Sequence, residues 1–217
     1  MNKCADMKYH FAAELRIYPS SVQKHIVAAN DGAARFVYNR LTAIDKELHS
    51  MRMAAPYCKP LMNRVSYLET IYSSKKELVN TIPFVHEDII DSLAIDNAIK
   101  NHRAAWKRFR EVPGTGIPTF HKKSYGQSYQ TNAHYLKEAT CWDDGNVKFV
   151  WRTPGEQVPH FIQLPKLGRI RFRCSEKVRS LLLTHRKDTR VGTITIRKDN
   201  CGDYYAVLQL SSDMPFV

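Results

Sequence analysis

At 217 residues and 25.1 kDa, with 43% apolar and 25% charged side chains, the chain can bury one large core or two small ones, and its composition excludes wholesale disorder. No stretch approaches the roughly 18 apolar residues of a membrane span, and Met1-Asn2-Lys3-Cys4-Ala5-Asp6 lacks the apolar core of a signal peptide, so a cytoplasmic protein with no membrane partner is expected. The net charge of +12 is one-sided: residues 98–198 hold 21 lysines and arginines against 7 acids, whereas residues 1–97 are nearly balanced at 12 against 11, which points to a polyanion as partner.

Lys8 to Ile17 alternates, with Phe11, Ala13, Leu15 and Ile17 on one face, and reads as a strand. Pro19-Ser20-Ser21 ends it. Ser20 with Gln23 three residues on is a capping box that starts a helix whose apolar stripe is Val22, Ile26 and Val27. Asp31-Gly32 is expected to break that helix. A second helix follows over 33–49, with Phe36, Val37, Leu41, Ile44 and Leu48 inward, a third lies near 66–80, and a long fourth runs from Val85 to Arg110 and stops at Pro113-Gly114. Past Pro118 the texture becomes strand-like: 147–152, 169–173 with Arg169, Arg171 and Arg173 on one face, then 193–198 and 204–210 joined by a turn through Asp199–Asp203. Asp143-Asp144-Gly145 reads as a turn. One strand, then helices, then several strands indicates an α+β fold in which a helical block is inserted into a β-barrel.

The five cysteines, Cys4, Cys58, Cys141, Cys174 and Cys201, have no C-x-x-C spacing and read as reduced thiols. On the long helix Ile95, Ile99, His102, Trp106 and Phe109 form a core stripe. Beside it Lys100, Arg103, Lys107 and Arg110 share one face that can track a phosphate backbone. The arginine face of 169–173 on a barrel strand is the stronger nucleic-acid surface. Glu87, Asp88 and Asp91 gather where the long helix begins, a place the helix dipole favours for acids; a cation site is the other reading. Helices 21–30 and 33–49 mimic a helix-turn-helix with Arg35 and Asn39 as its readers, although the apolar start of the second helix suits a packed hairpin better. No motif of the serine-hydrolase, phosphate-loop or zinc-protease kind is present.

Four stretches in order, Leu15–Pro19, Ala34–Asn39, Gly116–Lys123 with Ser128–Thr131, and Leu164–Arg171, resemble the N-terminal half of the transposon-encoded TnpB (OrfB) RNA-guided nucleases and their relatives, the compact type V CRISPR effectors, from about Tyr9 to Ser211. The resemblance implies a wedge-type, oligonucleotide-binding-like β-barrel with an inserted helical recognition domain: 1–19 as the first barrel strand, 20–112 as the recognition domain and 113–217 as the rest of the barrel. It implies guide RNA and target double-stranded DNA as partners, with a short target-adjacent motif read by the protein and the remainder by base pairing. Carried over, Ser92, Asp96, Lys100, Arg103, Lys107 and His134 are candidates for DNA, and Lys122, Lys123, Tyr129, Lys166, Arg169 and Arg171 for RNA. The family's endonuclease is a RuvC-like domain whose carboxylates hold Mg²⁺, expected to begin about where this chain stops, so no catalytic residue and no cofactor is assigned here. A stand-alone helix-turn-helix transcriptional regulator is the alternative.

Overall fold

The computed structural model describes residues 4–52, 55–135, 145–150, 159–184 and 189–215. Two compact units emerge, residues 1–31 with 124–217, and residues 32–123.

The first unit is built on a seven-stranded antiparallel sheet that curls into a half-barrel. Its strands are β1 (Tyr9–Tyr18), β2 (Gln127–Asn132), β3 (Lys148–Val150), β4 (Phe161–Leu164), β5 (Gly168–Arg173), β6 (Thr189–Lys198) and β7 (Tyr204–Ser212), in the spatial order β2-β6-β7-β1-β5-β4-β3. The period-two pattern of β1 buries Ala13, Leu15 and Ile17, as the alternation of the other strands buries Leu208, Leu210, Ile194, Ile196 and Ile170. The β6–β7 connection is held by Asp199, whose Oδ1 accepts the N–H groups of Cys201 and Asp203, both at 2.9 Å. The strand expected over 147–152 is present as β3; Trp151, Arg152, Asp143, Asp144 and Cys141 lie outside the described residues. Helix α5 (Glu176–Thr184) and strands β2 and β4 were not expected as elements. Ser175 Oγ accepts the Val178 N–H at 3.3 Å and starts α5.

The capping box forms as expected: Ser20 N–H donates to Gln23 Oε1 at 2.9 Å, and Gln23 N–H donates to Ser20 Oγ at 3.3 Å. The break at Asp31-Gly32 does not occur. A single helix α1 runs over Ser21–Met51. The polar side chains around the expected break are engaged within the fold. Asn30 Nδ2 donates to Ile26 O one turn back at 2.9 Å, and Asp31 Oδ1 accepts the backbone N–H of Ser128 at 3.0 Å. Gly32 has ordinary helical backbone, and a helix tolerates one glycine at a cost of about 1 kcal/mol. Two residues of the expected apolar stripes face outward: Val22 is 68% exposed, and Phe36 is 47% exposed with its edge against Phe84 at 5.1 Å.

The second unit packs the later turns of α1 with α2 (Lys59–Ser73), α3 (Lys75–Asn80) and α4 (Ser92–Glu111). The helix expected near 66–80 is two helices. Ser74 is extended, and its Oγ accepts the Glu77 N–H as the cap of α3. The long helix starts at Ser92 rather than Val85, because Pro83–His86 closes into a separate 3-10 turn and Asp91 caps α4 by accepting the Leu93 N–H at 3.0 Å. His102 is fully buried, 3.2 Å from Asp45 Oδ2 and edge-on to Tyr38 and Tyr72. Burial, then the charge of Asp45 and a hydrogen bond to it, push the Tyr72 hydroxyl up to about 12. Among the described residues no helix is long and apolar enough to cross a membrane, the four cysteines are free thiols, and no group of His, Cys, Asp and Glu is arranged to hold a metal.

Candidate nucleic-acid interface

Alternation along β5 buries Ile170 and Phe172 and leaves Arg169, Arg171 and Arg173 exposed on the outer face of the sheet. Pairing then determines their neighbours. Arg173 stands opposite Arg16 of β1, Arg171 opposite Tyr18 on one side and Phe161 on the other, and Arg169 opposite Gln163. From Arg16 the same row continues through Tyr205 of β7 to Arg197 of β6 and Ser128 of β2. The outer face thus interleaves five arginines with Tyr18 and Tyr205, the combination of cations and aromatic faces that suits nucleic acid. Arg16 and Arg173 lie over the Tyr18 ring at 5.8 and 6.0 Å, and Arg197 lies over Tyr205 at 4.6 Å.

The five are not equivalent. Arg16 is bound to Asp203 and Arg197 to Glu14, each at 2.6 Å, so two of the charges are already answered by carboxylates. Hydrogen bonding to those partners raises both guanidinium pKa values. Among the described residues Arg169, Arg171 and Arg173 make no ion pair, so no carboxylate there competes with a phosphate for them.

The turn between β4 and β5 presents Lys166. This lysine has a φ of 60°, the only positive φ among the described non-glycine residues, and Gly168 follows at 69°. Leu167 N–H donates across it to Pro165 O at 2.7 Å. Gln23, beyond its capping role, donates through Nε2 to Leu167 O at 2.8 Å and Arg169 O at 2.9 Å, which ties the turn to the start of α1. Holding a lysine in the left-handed region costs about 1–2 kcal/mol. Lys166→Gly is therefore expected to raise stability by about 1 kcal/mol in urea titration, while lowering the salt slope of single-strand binding by about 0.7. A less stable variant would show that this turn is unstrained.

In the helical unit, Lys100, Arg103 and Lys107 do share the exposed face of α4. Arg103 Nη2 is 3.5 Å from Ser73 O, Lys107 Nζ is 3.9 Å from Glu111, and Asp96 is paired with Lys75 at 2.6 Å, so Asp96 is engaged within the unit. Ser92 is exposed at the first turn of α4. Lys122 and Lys123 are exposed on the extended segment after α4. That segment is anchored by Asn39, which accepts the His121 N–H at 2.7 Å and donates to His121 O at 2.9 Å, and by His121 stacked on Tyr38 at 3.8 Å. Burial, then Arg35 and His102, lower the His121 pKa. His134 is exposed but belongs to the sheet unit, with its N–H donating to Asn146 Oδ1 at 2.7 Å.

Two sequence expectations need correction. Tyr129 is 3% exposed: the alternation of β2 turns it into the core, so it offers no surface to RNA. Arg35 and Asn39 do not form a reading edge. Asn39 is spent on the His121 backbone, Arg35 Nε is buried without a hydrogen-bond partner, and α1 has no turn ahead of them. Arg16, Tyr18, Arg197 and Tyr205 were missed as interface residues. Only strand pairing brings them beside β5, and no local pattern announces it.

Residues 7–52 match the family model of the OrfB/IS605 helix-turn-helix domain. Comparison with curated proteins gives no match. Over Met7 to Arg52, strand β1 and helix α1, the chain is thus similar to a DNA-binding N-terminal domain associated with the TnpB/OrfB transposon proteins.

Proposed function

We propose that this chain is the guide-RNA- and target-DNA-binding portion of an RNA-guided DNA endonuclease of the TnpB/OrfB kind. The observation that carries the reading is the outer face of the sheet, where Arg169, Arg171 and Arg173, without an ion pair among the described residues, stand beside Tyr18. On this reading the half-barrel grips the RNA scaffold through Lys166 and its arginines, and Lys122 and Lys123 of the helical unit are separate RNA contacts. The exposed face of α4, through Ser92, Lys100, Arg103 and Lys107, lies along the duplex beside the target; His134, in the sheet unit, is a separate candidate for DNA. Such contacts fix register and orientation, and most of the sequence is read by the guide. Hydrolysis, which in this family uses carboxylate-held Mg²⁺, is assigned to a RuvC-like domain and to none of the residues described.

The unbroken α1 disfavours the alternative, a regulator that reads duplex DNA with the second helix of a helix-turn-helix, because that geometry needs a turn before the reading helix. The test is a salt titration of the purified chain against structured RNA, duplex DNA, and both together. Steeply salt-dependent RNA binding, with duplex binding strengthened by RNA, is the expected result. Tight, sequence-selective duplex binding indifferent to RNA would transfer the assignment to the regulator.

A further inference from the structure

Beside the arginine face lies a cavity of about 230 Å³ between the end of β5 and α5, lined among others by His160, Arg171, Arg173, Arg179, Leu182 and Leu183. Arg171 and Arg173 reach it from the strand, and Arg179 from the second turn of α5. All three are exposed, and none makes an ion pair among the described residues. Three guanidinium groups lining one hollow offer an anion several charge-assisted hydrogen bonds at once. The rest of the lining is of another character. Phe172 and Leu182 are buried beneath it, and Leu183 remains 37% exposed at its wall. A cationic side and an apolar side in one small cavity suit a ligand with a phosphate and a flat ring. A hollow of this size, below the roughly 300–1,000 Å³ of drug-sized sites, suits a ligand no larger than one base with its phosphate.

We infer that this cavity receives a single unstacked nucleotide of a bound strand, its phosphate on Arg171, Arg173 and Arg179 and its base against Leu182 and Leu183. The inference rests on the nucleic-acid reading above and adds to it a preference for unpaired over paired nucleotides, because a base in a duplex cannot leave its stack without cost.

Cys174 lines the same cavity and reports on it. Burial raises its thiol pKa while Arg179 opposes the rise, so alkylation is carried out at mildly alkaline pH. Cys201, exposed on the β6–β7 turn, is an internal reference. Labelling of the two thiols is read by peptide mass with no nucleic acid, with single-stranded RNA, with single-stranded DNA, and with a perfect duplex. Single strands are expected to slow Cys174 labelling about fivefold relative to Cys201, and the duplex to bind without protecting it; the RNA and DNA arms identify the source of the nucleotide. A second measurement uses Arg179→Gln on exposed α5. Single-strand affinity is expected to fall about fivefold, and duplex affinity to hold. Equal protection by duplex and single strand, or salt-dependent binding with neither protecting Cys174, overturns the pocket and leaves the wider reading standing. Absence of any binding overturns both.

Discussion

Replacing Arg169, Arg171 and Arg173 together by glutamine is expected to weaken nucleic-acid binding on the order of a hundredfold at physiological salt. It should also reduce the dependence of log K on log salt by about 2 for a single strand and nearer 2.7 for a duplex. Each guanidinium that neutralises a phosphate releases a condensed counterion, and three such contacts are removed at once. The side chains are exposed on an outer sheet face, so the fold should survive with changes of about 0.5 kcal/mol or less per site. The informative control is the pair Arg16→Gln and Arg197→Gln. Those cations are held 2.6 Å from Asp203 and Glu14, and a phosphate must compete with the carboxylates for them. Their loss should change the slope by much less. If these two arginines and the three of β5 prove equally costly, the distinction drawn from the ion pairs is wrong, and the face acts only through its total charge.

Gly32 separates the two geometries available to the first fifty residues. In a continuous α1 its backbone is helical, and an added Cβ meets no atom within 4 Å. Gly32→Ala should then stabilise the protein by about 0.5–1 kcal/mol, chiefly by restricting the unfolded chain, and raise the melting temperature by roughly 1–4 °C. Gly32→Pro should cost about 3 kcal/mol or more, because the ring clashes with the preceding turn and removes a helical hydrogen bond. A helix-turn-helix with its turn at Asp31-Gly32 predicts the opposite for alanine, since glycine at a left-handed turn position cannot be replaced without strain. Thermal unfolding of the two variants decides the matter without any ligand. The family match over residues 7–52 bears a helix-turn-helix name, and the two substitutions test whether this chain has the geometry that the name describes.

What could be read in the sequence was local. The alternation of β1 and of β5, the β6–β7 hairpin, the Ser20–Gln23 box and the two stripes of α4 each lie within a few turns or one strand, where a period of 2.0 or 3.6 speaks for itself. The features that misled were settled at long range. Asp31 looks like a helix breaker because its carboxylate usually serves a nearby turn; here it is occupied by Ser128, 97 residues away. Tyr129 sits in a motif that reads as a surface, but the pairing of β2 with β6 turns it inward. The candidate interface divides in the same way. Arg169, Arg171 and Lys166 could be found along one strand and its turn. Arg16, Tyr18, Tyr205 and Arg197 become their neighbours only through the order β6-β7-β1-β5, which no single stretch of sequence encodes.

The hydrogen bond from Ser128 to Asp31 also bears on how the protein behaves in a crowded cell. Among the described residues strand β2 pairs with β6 alone and so stands at one end of the sheet. Such a flank is where chains add to one another and begin to aggregate. Asp31 takes the Ser128 amide, and Asn146 takes the Asn132 carbonyl at 2.9 Å, so two of the groups that a foreign strand would have to recruit are already occupied by side chains of the same molecule. A side chain that looks like a helix breaker in the sequence thereby becomes part of the guard that keeps the half-barrel from growing into a fibre.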